Sequence, residues 1–168
     1  GAYFFANIIE PNMRIIKKCL PSSNECWSDD VVNISDQSLS SNYFTNSLGS
    51  AFSFIKASGT SVYCWLHGNG TGMWYVVDLN GTNKPNKIGR DIFMFQANWG
   101  STELKMGVYP AGMDQSPTSR NDLINGIPTD STHGEYNCKK VNNRKRNGAE
   151  WAALIMIDNW QIKDDYPW

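Results

Sequence analysis

An α+β domain, with an N-terminal helix packed on an antiparallel β-sheet, is what this sequence predicts. The chain opens on an apolar stripe at helical spacing, Phe5, Ile8, Ile9, Met13 and Ile16, with Asn7, Glu10, Arg14 and Lys17 off the stripe. Four β-branched or aromatic runs follow at 51–55, 62–67, 73–77 and 92–96. Between the last two lies 78–91, Asp-Leu-Asn-Gly-Thr-Asn-Lys-Pro-Asn-Lys-Ile-Gly-Arg-Asp, whose Asx residues, glycines and Pro85 carry the chemistry of consecutive tight turns.

The helix is expected over about 1–18. Pro11 either kinks it or opens a second short helix, and Lys17 and Lys18 sit where positive charge complements the C-terminal end of the dipole. Residues 20–50 are rich in Ser, Asn and Asp and end at Gly49, which predicts an irregular connection. The turn 68–72, Gly-Asn-Gly-Thr-Gly, joins two runs as a hairpin, and 92–96 adds a strand beyond the long loop, so a sheet laid on a helix follows. The 97–147 stretch holds Pro110, Pro117 and Pro128 with little periodicity, and reads as a loop-rich excursion with short pieces of structure. A helix is expected at 149–158, capped by Asn147 and stopped by Asn159, with a short strand at 160–162 after it.

With 168 residues the chain suits one domain, 1–168. Fifteen basic residues against sixteen acidic ones leave a net charge of −1, so no global field draws in nucleic acid or an anionic membrane. Seven Trp, fourteen Gly and abundant Asn, Ser and Thr favour an extracytoplasmic, loop-rich domain. The longest apolar run, 151–157, has seven residues where a spanning helix needs about 20.

Three blocks in order, 51–61 (Ala-Phe-Ser-Phe-Ile-Lys-Ala-Ser-Gly-Thr-Ser), 78–91 and 160–168 (Trp-Gln-Ile-Lys-Asp-Asp-Tyr-Pro-Trp), give a sequence that resembles the globular domain of bacterial type IV pilin-like proteins, the minor pilins and type II secretion pseudopilins. The resemblance covers about 51–96 and 148–168. It implies a non-enzymatic structural subunit of a type IV pilus or type II secretion pseudopilus, whose partners are other pilin or pseudopilin subunits. It also implies an apolar helix before Gly1 that holds the subunit in the inner membrane until it assembles into a periplasmic pseudopilus or extracellular pilus. The alternative expectation is a secreted binding or adhesion module using 97–147.

Four cysteines allow three pairings. The six-residue spacer between Cys19 and Cys26, with Pro21, Ser22 and Ser23, reads as a closed loop, which leaves Cys64 with Cys138 in an oxidising compartment. Cys64 and His67 with His133 and Cys138 have a permissive but wide zinc spacing, and neither histidine accompanies a nucleophile motif. Asp78 and Asn80 begin the 78–91 loop as a calcium loop begins, and Asp91 ends it. Yet Asn83 stands where such a loop wants Gly and Gly89 where it wants Glu, so the loop is expected to be structural and metal-free, its carboxylates capping turn amides. No cofactor is expected. Lys139, Lys140, Arg144, Lys145 and Arg146 form the one basic cluster, a patch for DNA or another polyanion if it is more than a solvated loop.

Overall fold

The structure, a computed structural model, describes residues 3, 5–19, 25–28, 30–39, 51–66, 70–100, 107–113, 119–126, 137–139 and 148–166. Among these, the dominant element is a six-stranded antiparallel meander in the order β1-β2-β3-β4-β5-β6. The strands are β1 Ile15–Cys19, β2 Ala51–Lys56, β3 Ser61–Leu66, β4 Gly72–Asp78, β5 Ile92–Asn98 and β6 Gly107–Pro110. Among the described residues three short helices, α1 Glu10–Asn12, α2 Arg120–Asn125 and α3 Trp151–Ile157, accompany it, with a π-helical turn Phe5–Ile9 ahead of α1. The fold is mostly β.

The long N-terminal helix does not form, which corrects the expectation for 1–18. Pro11 stands within α1 and contributes no N–H, and Met13 already has extended backbone, φ −131° and ψ 133°. The Asn12 amide takes up the Ile8 carbonyl at 2.7 Å in place of a helical continuation. The β-branched pair Ile15 and Ile16 then enters a strand, and Lys17, Lys18 and Cys19 pair with Ile55, Phe54 and Ser53 of β2. Sheet pairing thus overrides the helical period from Met13 onward. Ile16, on the supposed core stripe, is exposed.

Alternation along the strands makes two apolar faces. On one face Ala51, Tyr63, Val76, Ile92 and Met94 pack with Trp27, Val31, Leu39, Ile88 and Ala149 from the connections. On the other, Phe54, Val62, Cys64 and Met73 are buried with Ile9, and Phe5 packs on Phe52 with ring centroids 4.8 Å apart. A third cluster around α3 gathers Leu123, Cys138, Trp151, Leu154 and Tyr166.

α3 occupies the heart of the expected 149–158 helix, and Asn159 takes the left-handed conformation at its end, φ 58°. Its N-cap is Glu150 with no side-chain cap bond; Asn147 lies outside the described residues. The strand expected at 160–162 is absent, because Trp160 also has positive φ and the chain is held from there by side chains. Arg120 Nε and Lys163 Nζ donate to the buried Asp158 carboxylate at 3.0 and 2.5 Å, the Tyr166 hydroxyl donates at 3.2 Å, and Arg120 reaches Asp165 at 2.7 Å. α2, with its Ser119–Asp122 capping box, is the short piece of structure inside the 97–147 excursion that holds Arg120.

Candidate functional site

Two places in the fold concentrate chemistry. The first is the 78–91 loop, which closes one end of the sheet. Its expected turns form with Gly81 at φ 71°, Asn86 at φ 45° and a cis Lys84–Pro85 bond. Asp91 accepts from the backbone N–H groups of Asn86 and Lys87 at 3.0 and 2.6 Å, and Asp78 accepts from that of Asn80 at 3.2 Å. Both carboxylates therefore cap turn amides. The loop is tied to the connection before the sheet by Val32, whose N–H donates to Asn86 and whose carbonyl accepts from Ile88.

Asp78 is buried at 1% exposure, and Ser61 faces it across the β3–β4 ladder. Burial, with the nearby Asp91 charge adding to it, pushes its carboxyl up to about 7. With the Asn86 amide turned so that its oxygen accepts from the Ser28 hydroxyl, its nitrogen donates to Asp78 Oδ2 at 3.2 Å and to the Asn83 carbonyl at 2.8 Å. Asn80, the third residue of the calcium-like start, turns its amide nitrogen to the Lys84 carbonyl at 3.3 Å.

The second place is the sheet face under the N-terminal helical segment. Phe5, Ile9 and Met13 cover its β2–β3 side, while Tyr3 and Ile8 stay exposed at 81% and 49%. Phe5 is itself half-buried against Phe52 and Phe54. Toward β5 and β6 the cover given by the described residues runs out, and a cavity of about 520 Å³ lies over Val77, Phe95 and Ala97. Sequence reading missed this cavity. Part of its signal was present: the runs of β3, β4 and β5 are apolar on both faces.

The cysteines divide. Cys19 and Cys26 form the expected disulfide. Cys64 and Cys138 are free and buried, which corrects their expected pairing. Alternation along β3 points Cys64 with Val62 and Leu66 beneath the N-terminal segment, whereas Cys138 belongs to the α3 cluster beside Leu123 and Trp151. Burial pushes both thiols well up. The two therefore cannot share a zinc site as they stand, and His67 and His133 lie outside the described residues. Of the basic cluster, Lys139 is exposed; Lys140, Arg144, Lys145 and Arg146 lie outside the described residues. Among the described residues no helix is long and apolar enough to cross a membrane.

Set against known protein families, curated proteins and solved structures, the chain matches none.

Proposed function

We propose that the chain is the extracytoplasmic head of a filament subunit, a minor pilin or pseudopilin that acts by assembly and not by catalysis. The observation that carries this reading is the N-terminal segment. It lays Ile9, Met13 and Phe5 on the sheet while leaving Tyr3 and Ile8 exposed at the end from which a preceding helix would continue. Exposed apolar surface at that point suits burial against neighbouring subunits. The resemblance of the 51–61, 78–91 and 160–168 blocks supports it from the sequence side. On this reading the 78–91 loop and the Asp158 network are structural: they fix the surface offered to the next subunit, and the head supplies shape complementarity to a helical array.

Fractionating cells that express the native gene, with and without prepilin peptidase, tests this. The expected result is a full-length product in the inner membrane whose size falls when the peptidase is present, and which then enters filaments. A freely soluble product of unchanged size would remove the filament reading and favour a secreted binding module.

A further inference from the structure

The uncovered half of the sheet face has a polarity of its own. The cavity floor is Val62, Tyr75, Val77, Phe95 and Ala97, brought together by cross-strand pairing of Val62 with Val77 and Tyr75 with Phe95. Ile8, Ile9 and Met13 of the N-terminal segment form its wall. Its volume, about 520 Å³, lies inside the roughly 300–1,000 Å³ typical of small-molecule sites.

Polar groups gather at one end. Lys56, on β2, shares this face with Phe52 and Phe54, and its N–H donates to the Thr60 carbonyl at 2.9 Å across the β2–β3 turn. The Lys56 ammonium makes no ion pair or hydrogen bond among the described residues, and the Thr60 hydroxyl accepts from Ser58, leaving its own proton to donate. At the far end the lining is Asn98, Trp99, Gly107 and Val108, and alternation along β5 turns the Asn98 side chain to the face of Ile92 and Met94. Lys56 stands at one end of the strands on β2 and Val108 at the other end on β6, so the trough crosses the sheet diagonally.

An elongated trough with Lys56 among its lining at one end and apolar side chains along the rest matches one ligand class: an extended alkyl chain with a single anionic head. A peptide fits poorly, because its backbone N–H and C=O groups would lose water against this lining without partners. We propose that this trough binds one long-chain fatty acid, with its carboxylate at Lys56 and Thr60 and its alkyl chain over Val62, Val77, Phe95 and Ala97. Tyr75 contributes its ring to the floor, and Trp99 lies near the chain's methyl end. The proposal stands independently of the filament reading, because it concerns the head alone.

Calorimetry with palmitate, kept monomeric, and with hexadecanol as the uncharged chain of equal length, tests it on two surface variants that leave the core untouched. Palmitate is expected to bind the parent protein one to one with a Kd on the order of 1–100 µM. Lys56→Gln should weaken palmitate about tenfold, the worth of one charge-assisted hydrogen bond, and leave hexadecanol unchanged. Val108→Glu should weaken both ligands. A stearate spin-labelled near its methyl end should quench tryptophan fluorescence in the parent and much less in Trp99→Phe. The proposal is overturned by absence of saturable palmitate binding, or by a Lys56→Gln protein that binds palmitate as the parent does. It is equally overturned if sedimentation finds a dimer that Val108→Glu dissolves and palmitate does not, since a second copy would then cover the trough.

Discussion

The two faces of the sheet are built from similar residues and end in different states. One is sealed: Trp27, Val31, Ile88 and Ala149 arrive from connections far apart in sequence and leave Tyr63, Val76 and Ile92 essentially unexposed. Among the described residues the other is covered by one short segment, and where that segment stops a cavity begins. Closure of a sheet face thus depends on how much chain is available to lie on it, more than on how apolar the face is. The sealed face draws on several connections, including the backbone-braced 78–91 loop; among the described residues the open face draws on Phe5, Ile9 and Met13 of the N-terminal segment. Stability should therefore concentrate on the sealed face and binding on the open one.

The largest effect is expected where the loop meets α3. Gly89 has φ +84°, and a Cβ there would lie 2.2 Å from Cδ1 of Trp151, a fully buried ring. Gly89→Ala should cost about 3–5 kcal/mol through overpacking and left-handed strain together. Gly59 has a similar φ, +86°, yet a Cβ there would meet no atom within 4 Å, so Gly59→Ala isolates the backbone part and should cost only about 1 kcal/mol. Denaturant midpoints for the pair measure this. Equal losses would mean that the Trp151 contact is not what Gly89 serves.

Two isoleucines set the sealed face directly against the open one. Ile88, fully buried on the sealed face, should cost about 3–4 kcal/mol on truncation to Ala, because the surrounding residues cannot collapse into the space. Ile9, 5% exposed, already borders the cavity, so Ile9→Ala enlarges an existing space and should cost about 1–2 kcal/mol. If Ile9→Ala proved as costly as Ile88→Ala, the open face would be as tightly closed as the other.

How much of this was legible in the sequence follows from the kind of signal involved. The four strands at 51–96 and the turn-rich loop were readable because their patterns are local: runs of β-branched and aromatic residues, and glycines and Asx residues where positive φ is required. β1 and β6 were not. Ile15–Cys19 has the residues of a helix end, and becomes a strand only because β2 offers an unpaired edge; Gly107–Pro110 pairs with β5 in a stretch without periodicity. Pairing of this kind is decided by distant partners. The Asp158 network was hidden for the same reason, since Arg120 lies 38 residues away from it. The disulfide was legible where the loop is short, and the reading failed where Cys64 and Cys138 had to be placed by elimination, although alternation along β3 alone sends Cys64 to the N-terminal side.

The Cys19–Cys26 bond joins the edge strand of the sheet to the chain just before Trp27, a sealed-face residue. Without reductant, two thiols should be alkylated after unfolding and almost none before, read by intact mass, because Cys64 and Cys138 are buried. Replacing Cys19 and Cys26 together by Ser should cost about 2–3 kcal/mol, the loop-closure value for a short ring. Four reactive thiols in the unfolded, unreduced protein would rule the bond out, and none would restore the Cys64–Cys138 pairing.

The smallest effect concerns pH and the rim of the sealed face. Asp78 titrates near 3.8 when exposed and is pushed up to about 7 in the fold, first by burial and then by the Asp91 charge, against the opposing hydrogen bond from Asn80. Because the folded value is the higher one, the folded state holds this proton where the unfolded chain has released it, and stability must fall as pH rises from about 4 to about 7, then level off. Asp158 and Asp165 act with the opposite sign: their carboxyls are held below the usual range, Asp158 by Lys163 and Arg120 against its own burial and Asp165 by Arg120, so their contribution is lost only on acidification below about 4. From about pH 5 to pH 8 the parent should lose roughly 1–2 kcal/mol, less than the full shift implies because the loop can relax around the charge. Asp78→Asn keeps the shape, removes the charge and should flatten that slope, so the variant gains on the parent at pH 8. Urea midpoints across the range decide it: a parent as stable at pH 8 as at pH 5, or an Asp78→Asn protein with the parent's slope, would show that the loop holds Asp78 ionised without cost.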